Sequence, residues 1–382
     1  MNNVQRIRDV VSQCRWSRSG LALAFICTLA ASLAGCGAAP SREPPIDPDA
    51  ARTQIRQLIP STVPNRDGWA IDMFAAFEAL DIRPTARNIC AVIAVTQQET
   101  GFQVDPTVPG LPAMARKEID TRASRYRIPS SVVTLALNVR SPNGRTYADR
   151  IAKANTERAL SETFEDFIGS VPLGRQLFAN FNPVRTGGPM QVSIAFAEQH
   201  AKKRNYPYPV KDSIRREVFT RRGGMYFGTA HLLDYPVPYD SMLYRFADFN
   251  AGHYASRNAA FQKAVATLSK AKLALDGDLL RQGASEDEPG QTEAAVRTLS
   301  SQLNMSNREI RRDLQREKEA EFEQTDLYAR LFELADRKAG SPVPRAVVPS
   351  IRLESVKITR PLTTEWFAER VNGRYRRCLG SE

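Results

Sequence analysis

Glu99 closes the run Gln97-Gln98-Glu99-Thr100-Gly101-Phe102, directly behind the apolar stretch Ile89-Cys90-Ala91-Val92-Ile93-Ala94-Val95. Burial disfavours an ionised carboxylate, so a glutamate at the end of a buried helix can keep its proton near neutrality and hand it to a leaving oxygen. A solvated helix-end glutamate is the plainer alternative. Three later segments change the weight on Glu99. Gly188-Pro189-Met190-Gln191-Val192 carries an amide with both a donor and an acceptor. The run from Gly224 to Leu233 is apolar and contains His231, while Phe249-Asn250-Ala251-Gly252 joins an amide to turn-forming residues. Asp105, Glu217 and Asp248 are conceivable second carboxylates for a hydrolase, but none sits in a motif.

In chain order the four segments resemble the Glu-Ser-x-Phe, Gly-Leu-Met-Gln, Asn-Ile-x-x-Gly-x-x-Tyr-Leu and Tyr-Asn-Ala-Gly motifs of lytic transglycosylases. The resemblance implies a lysozyme-like helical domain over residues 65–275 and, as substrate, the glycan strands of peptidoglycan. It implies that Glu99 protonates the oxygen between N-acetylmuramic acid and N-acetylglucosamine. The carboxylate so formed would then draw the proton from the muramic acid 6-hydroxyl as that oxygen closes onto C1, leaving a 1,6-anhydro end. Hydrolytic glycosidases ordinarily need two carboxylates, whereas this route needs one. Under the same resemblance Thr100, Met190, Gln191, Phe249, Asn250, Ala251 and Gly252 contact substrate, with Met190 and Gln191 lining the groove and the last three forming the wall opposite Glu99. No cofactor is implied. Phe249 stands where the family has a tyrosine, and the 88 residues between Glu99 and Gly188 predict an insertion over about 103–187. The alternative is an inactive lysozyme-like lipoprotein that binds glycan or peptide, or assists uptake at the cell envelope.

The start of the chain predicts export. Arg6, Arg8, Arg15 and Arg18 precede the apolar stretch Leu21 to Leu33, which is too short for a spanning helix of about 20 residues. Leu33-Ala34-Gly35-Cys36 resembles a bacterial lipobox, so residues 1–35 read as a signal peptide and Cys36 as the lipidated cysteine. Residues 36–64 then form a lipidated tether, which holds the protein to a membrane through its acyl chains. Gly37, where an aspartate would retain a lipoprotein at the inner membrane, points to the outer membrane. The whole-chain layout also resembles a poorly characterised family of proteobacterial lipoproteins, the YaiW type, which implies the same location without settling which face is occupied.

The full chain of 382 residues has a formal charge of +11, and loss of residues 1–35 removes four arginines and one aspartate, leaving +8. An exported basic body meets peptidoglycan carboxylates and lipopolysaccharide phosphates, so no nucleic-acid partner is inferred. His200, His231 and His253 are too dispersed for a recognisable metal motif, and His231 reads as a core histidine. Of five cysteines, Cys90 and Cys378 remain after Cys14, Cys27 and Cys36 are assigned to the signal and the lipid. These two either pair or stay apart as a buried and a free thiol.

The elements that must hold Glu99 are helical. Asp67 can cap a helix through Leu80, and Thr85 can cap the run to Glu99. A helix is expected from Met190 to Gln199, after Gly187-Gly188-Pro189. Arg281 to Gln291 reads as a linker or exposed loop, and Ser306 with Glu309 has capping-box spacing ahead of a charged helix anchored by Ile310, Leu314, Phe322, Leu331 and Phe332. The tail predicts one short strand and a helix around Trp366. The expected architecture is mainly α, with a helical C-terminal extension over 276–382.

Overall fold

Asp47 precedes Pro48, a pairing that starts a helix because the carboxylate accepts from the Asp49 N–H while proline needs no partner at the first position. The computed structural model describes residues 46–170, 182–281, 283, 285–353 and 361–380. The signal segment, Cys36 and residues 37–45 of the tether lie outside them. Within the expected tether, helix α1 (Pro48–Leu58) buries Ala51 and Ile55, a correction that follows from the aspartate cap and the apolar spacing. Asp47–Glu382 forms a compact unit of its own.

The chain continues through α2 (Arg66–Ala79) and α3 (Ala86–Glu99). Asn65, rather than Asp67, caps α2 by accepting from the Gly68 N–H at 3.1 Å; Thr85 caps α3 as expected. Next come α4 (Leu111–Arg125), α5 (Ser130–Leu137), α6 (Tyr147–Lys153) and α7 (Glu157–Gly169). Strands β1 (Thr186–Gly187) and β2 (Val192–Ser193) pair antiparallel, so Gly188 to Gln191 is a hairpin loop and not the start of a helix. Gly188 and Gln191 both hold positive φ there, and the helix α8 (Ile194–Lys203) begins only after Ser193 caps it. Then follow α9 (Ile214–Val218), α10 (Arg221–Leu233), α11 (Met242–Ala251) and α12 (Ala255–Ser269). The C-terminal part holds α13 (Gln291–Arg297), α14 (Ser300–Leu303), α15 (Asn307–Leu314), a 3₁₀ turn (Ala320–Gln324) and α16 (Asp326–Ala339). Strands β3 (Arg352–Leu353) and β4 (Leu362–Thr363) pair antiparallel before α17 (Thr364–Leu379). The fold is mainly α.

Three apolar clusters organise these helices. The first joins α1, α2, α3, α10, α11 and α17. The second lies under α4 to α10 and includes Leu80, Leu160, Val192 and Phe227. The third closes α12 to α16, burying all five predicted anchors from Ile310 to Phe332; the capping box at Ser306 is formed. The last helix packs along both α3 and α11, and a disulfide joins Cys90 to Cys378 with 5.6 Å between Cα atoms.

Candidate functional site

α3 is dry through most of its length because Ile89 to Thr96 have essentially no exposed surface. Its last three residues emerge, and Glu99 is half-buried at the end. Beyond it Gly101 and Phe102 take positive φ, which turns the chain back so that the Phe102 ring packs edge-on against Trp69, with 5.2 Å between centroids. Thr100 is buried and donates its hydroxyl to the Pro189 carbonyl at 2.8 Å. That bond ties the glutamate segment to the β1–β2 loop.

The loop is seated on α10 at two glycines. A Cβ on Gly224 would lie 2.3 Å from the Pro189 ring, and one on Gly228 would lie 2.4 Å from the Met190 sulfur. Gly188 is closer still, since a Cβ there would come within 2.1 Å of the Val218 carbonyl oxygen. Met190 therefore has no exposed surface, and the expectation that it lines a saccharide groove is corrected: it fills the core beneath the loop. Thr100 is likewise a buried strut. Gln191 is half-buried, and its amide is already engaged, donating to the Gly188 carbonyl at 3.3 Å and accepting from the Thr186 hydroxyl at 3.2 Å.

The remaining segment approaches from α11. Phe249 is buried with its ring 5.0 Å from that of His231, and its carbonyl accepts from His231 Nε2 at 3.2 Å. Asn250 is exposed, and its side-chain oxygen accepts from the Thr364 hydroxyl at 3.0 Å. Ala251 and Gly252 are half-buried, Gly252 at φ 109°. α17 runs antiparallel to α3, since Cys90 near the start of one meets Cys378 near the end of the other. It also runs antiparallel to α11, with Phe246 against Tyr375 and Asn250 against Thr364. Arg87 reaches the Asp240 carbonyl at 2.9 Å, which aligns the starts of α3 and α11. Glu99, Asn250 and the first turn of α17 consequently share one end of the bundle. The C-terminal helix, taken from sequence as an extension outside the enzyme domain, is thus part of the wall around the candidate acid.

The conceivable second carboxylates have structural partners. Glu217 is buried and bound by Arg222 at 3.0 Å and by the Tyr206 hydroxyl at 2.8 Å. Asp248 has no exposed surface; it accepts from Tyr235 and Tyr239 hydroxyls and from the backbone of Tyr254 and Ser256. Burial pushes its carboxyl up to about 6 even though those bonds pull it down. Burial likewise raises Asp105. A polar cavity of about 420 Å³ is lined by Glu165, Glu198, Asp212 and Arg216, and two apolar ones of about 280 and 380 Å³ lie between α4, α5 and α7. Glu99 lines none of these three.

A family profile described as "Protein of unknown function (DUF1615)" matches residues 62–381. The chain belongs to the DUF1615 family. It is also 54% identical over 325 residues to "Uncharacterized protein YaiW" of Escherichia coli (strain K12), covering 85% of this chain and 88% of that protein. No solved structure matches it.

This DUF1615 chain gathers its three histidines where the sequence spacing suggested dispersal. His200, His231 and His253 all lie within 5.6 Å of the Phe196 ring, and the His231 and His253 rings stack at 4.6 Å. His253 donates from Nε2 to the His231 carbonyl at 2.7 Å. Burial is the main reason that His231 and His253 are pushed down to about 3 and about 4. His231 is a core histidine as expected, and among the described residues its buried Nδ1 has no hydrogen-bond partner. Among the described residues no group of three His, Cys, Asp or Glu is placed to hold a metal ion. Phe196, the hub of the cluster, carried no signal in the sequence.

Proposed function

We propose that this DUF1615 protein is a lipid-anchored protein of the outer membrane that cleaves peptidoglycan glycan strands in the manner of a lytic transglycosylase, with Glu99 as its acid and base. The observation that carries the reading is the convergence of sequence segments spread from Glu99 to Gly252 on one end of α3. Thr100 locks to Pro189, Met190 inserts beside Gly228, and Phe249 bonds to His231 on the same helix α10. Glu99 emerges from an otherwise dry helix at that end. Its carboxylic acid would donate a proton to the glycosidic oxygen as the C1–O bond breaks. The carboxylate left behind would accept the 6-hydroxyl proton as O6 bonds to C1, so the acid is restored and no water is consumed. A group placed in this way contributes on the order of 10²–10⁴-fold in rate. Asn250, Ala251 and Gly252 are the exposed or half-buried groups on the α11 side that saccharide can reach. The anchor would be the acylated Cys36, with the rest of the tether leading to α1.

A second reading has a specific observation behind it: binding without cleavage. The Phe249 ring is buried against His231 and has no hydroxyl to orient an acid, and the Gln191 amide is already occupied within its own loop. Digestion of purified sacculi by residues 47–382, with Glu99→Gln in parallel, separates the two. Anhydro-muropeptides released by the unsubstituted chain and reduced at least about 100-fold in the variant support cleavage. Reducing ends would mean hydrolysis instead. Retained sacculus binding with no product from either chain overturns the enzyme in favour of the second reading.

A further inference from the structure

Eight large apolar side chains stand exposed among the described residues, and five of them fall within 126–139: Tyr126, Ile128, Val132, Leu135 and Val139. They form one patch. Ile128 and Val132 edge the same apolar cavity, Tyr126 and Ile128 edge its neighbour, and Val132, Leu135 and Val139 follow one another at helical spacing along and just beyond α5. The opposite side of α5 supplies Val133 and Leu137 to the core, so Leu135 and Val139 lie on the outward side. Leu135 is 73% exposed.

The segment that carries the patch is basic, while Glu118 of α4 lines the cavity that Tyr126 and Ile128 edge. From Thr121 to Ala148 there are five arginines and no aspartate or glutamate. Arg122 is tied to Glu118, but Arg125, Arg127, Arg140 and Arg145 are exposed and form no ion pair with a described residue. Arg127 holds φ at 58° in the turn between α4 and α5, next to Tyr126 and Ile128.

We propose that this face seats the folded body on an anionic lipid surface, as a contact separate from the N-terminal lipid. Aliphatic and aromatic side chains of this size partition into the headgroup–acyl boundary, and guanidinium groups around them pair with lipid phosphates in two-bond geometry. A second copy of the chain is the poorer occupant. A two-fold contact would bring the exposed Arg125, Arg127, Arg140 and Arg145 against each other, while the nearby Glu118 and Asp120 are already paired with Arg122 and Arg116. The inference does not depend on the glycan reading, and Glu99→Gln leaves it untouched.

The test is co-sedimentation of residues 47–382, which form a compact unit without the signal or the lipidated cysteine, with vesicles. Vesicles of phosphatidylethanolamine with phosphatidylglycerol should pellet the protein, and pure phosphatidylcholine vesicles should do so at least about tenfold less well. Raising salt from about 0.1 M to about 0.5 M should weaken the binding. Arg125→Glu with Arg127→Glu should lower affinity about tenfold or more, and Val132→Ser with Leu135→Ser should lower it comparably, with melting curves unchanged because these side chains are exposed. Three outcomes overturn the proposal: no pelleting with anionic vesicles, unchanged pelleting in both variants, or a vesicle-independent dimer that Leu135→Ser abolishes.

Discussion

Ile89 in α3 and Leu135 in α5 are aliphatic residues of equal size on short helices, yet Ile89 has no exposed surface and Leu135 leaves 73% of its area in water. Around Ile89 the chain is enclosed by α10, α17 and a disulfide, and the polar groups of Thr96 and Thr100 are hydrogen-bonded. Around Leu135 the outward side of α5 is exposed, and Arg125, Arg127, Arg140 and Arg145 beside it form no ion pair with a described residue. The first region uses its apolar residues to hold one acid at the end of a rigid helix. The second retains them for a contact outside the molecule. Stability and recognition are thus drawn from the same residue types in different places.

The largest effect should come from opening the Cys90–Cys378 bridge, which closes a loop with a sequence separation of 288. Chain-entropy reasoning gives about 5 kcal/mol, so Cys90→Ala with Cys378→Ala should lower the urea midpoint sharply while vesicle binding of the still-folded fraction persists. Ile89→Ala should cost about 2–5 kcal/mol by leaving a cavity in α3. Equilibrium denaturation measures both, and a cost under about 1 kcal/mol for either would break the account of the enclosed region.

Acid should act next, through the aromatic cluster. His231 and His253 are held at about 3 and about 4, below their ordinary 6.5, so the unfolded chain binds protons that the folded chain refuses. Their share of stability is present above pH 6.5 and drains away as pH falls towards 4. Asp248, raised to about 6, has the opposite sign and restores part of it as pH falls from about 6 towards 3.8. With two histidines against one aspartate, the net loss between pH 7 and pH 4.5 is roughly 3 kcal/mol. His253→Asn should flatten that difference in urea midpoints, and an unaltered slope would dismiss the cluster as its origin.

Two smaller changes sharpen the contrast. Thr100→Val removes the bond to Pro189 and leaves that carbonyl unpaired, at about 1–2 kcal/mol. Loss of sacculus cleavage with little loss of stability in this variant would show that the bond positions Glu99. Leu135→Ala should move stability by less than about 0.5 kcal/mol, against the several-fold larger cost of Ile89→Ala. A large loss at Leu135 would mean that the exposed face supports the fold after all.

Much of the local structure was legible. Thr85 and Ser306 announce their helices because capping chemistry is local, and the apolar run in α3 gives its burial away by composition, whereas the single charged helix expected after Ser306 is split into α15, a 3₁₀ turn and α16. The hairpin at Gly188 was missed, since two-residue strands have no periodicity to read, and α1 was hidden by prolines that suggested a tether. Glu99 could be singled out because its helix ends in glycine. The roles of Met190 and Thr100 could not be read, because a motif residue that lines a groove and one that supports it from below have the same side chain.

The sequence by itself determined the mainly helical class, the caps at Thr85 and Ser306, that four motif-bearing segments occur in a set order, and membership of the DUF1615 family, all properties carried by neighbouring residues or by likeness. Only the tertiary structure decided that Cys90 meets Cys378, that α17 closes the end where Glu99 stands, and that three distant histidines share one aromatic cluster. It also decided which apolar face of α5 is left in water. Those outcomes depend on contacts between residues far apart in the chain, where packing and desolvation act and local propensity does not.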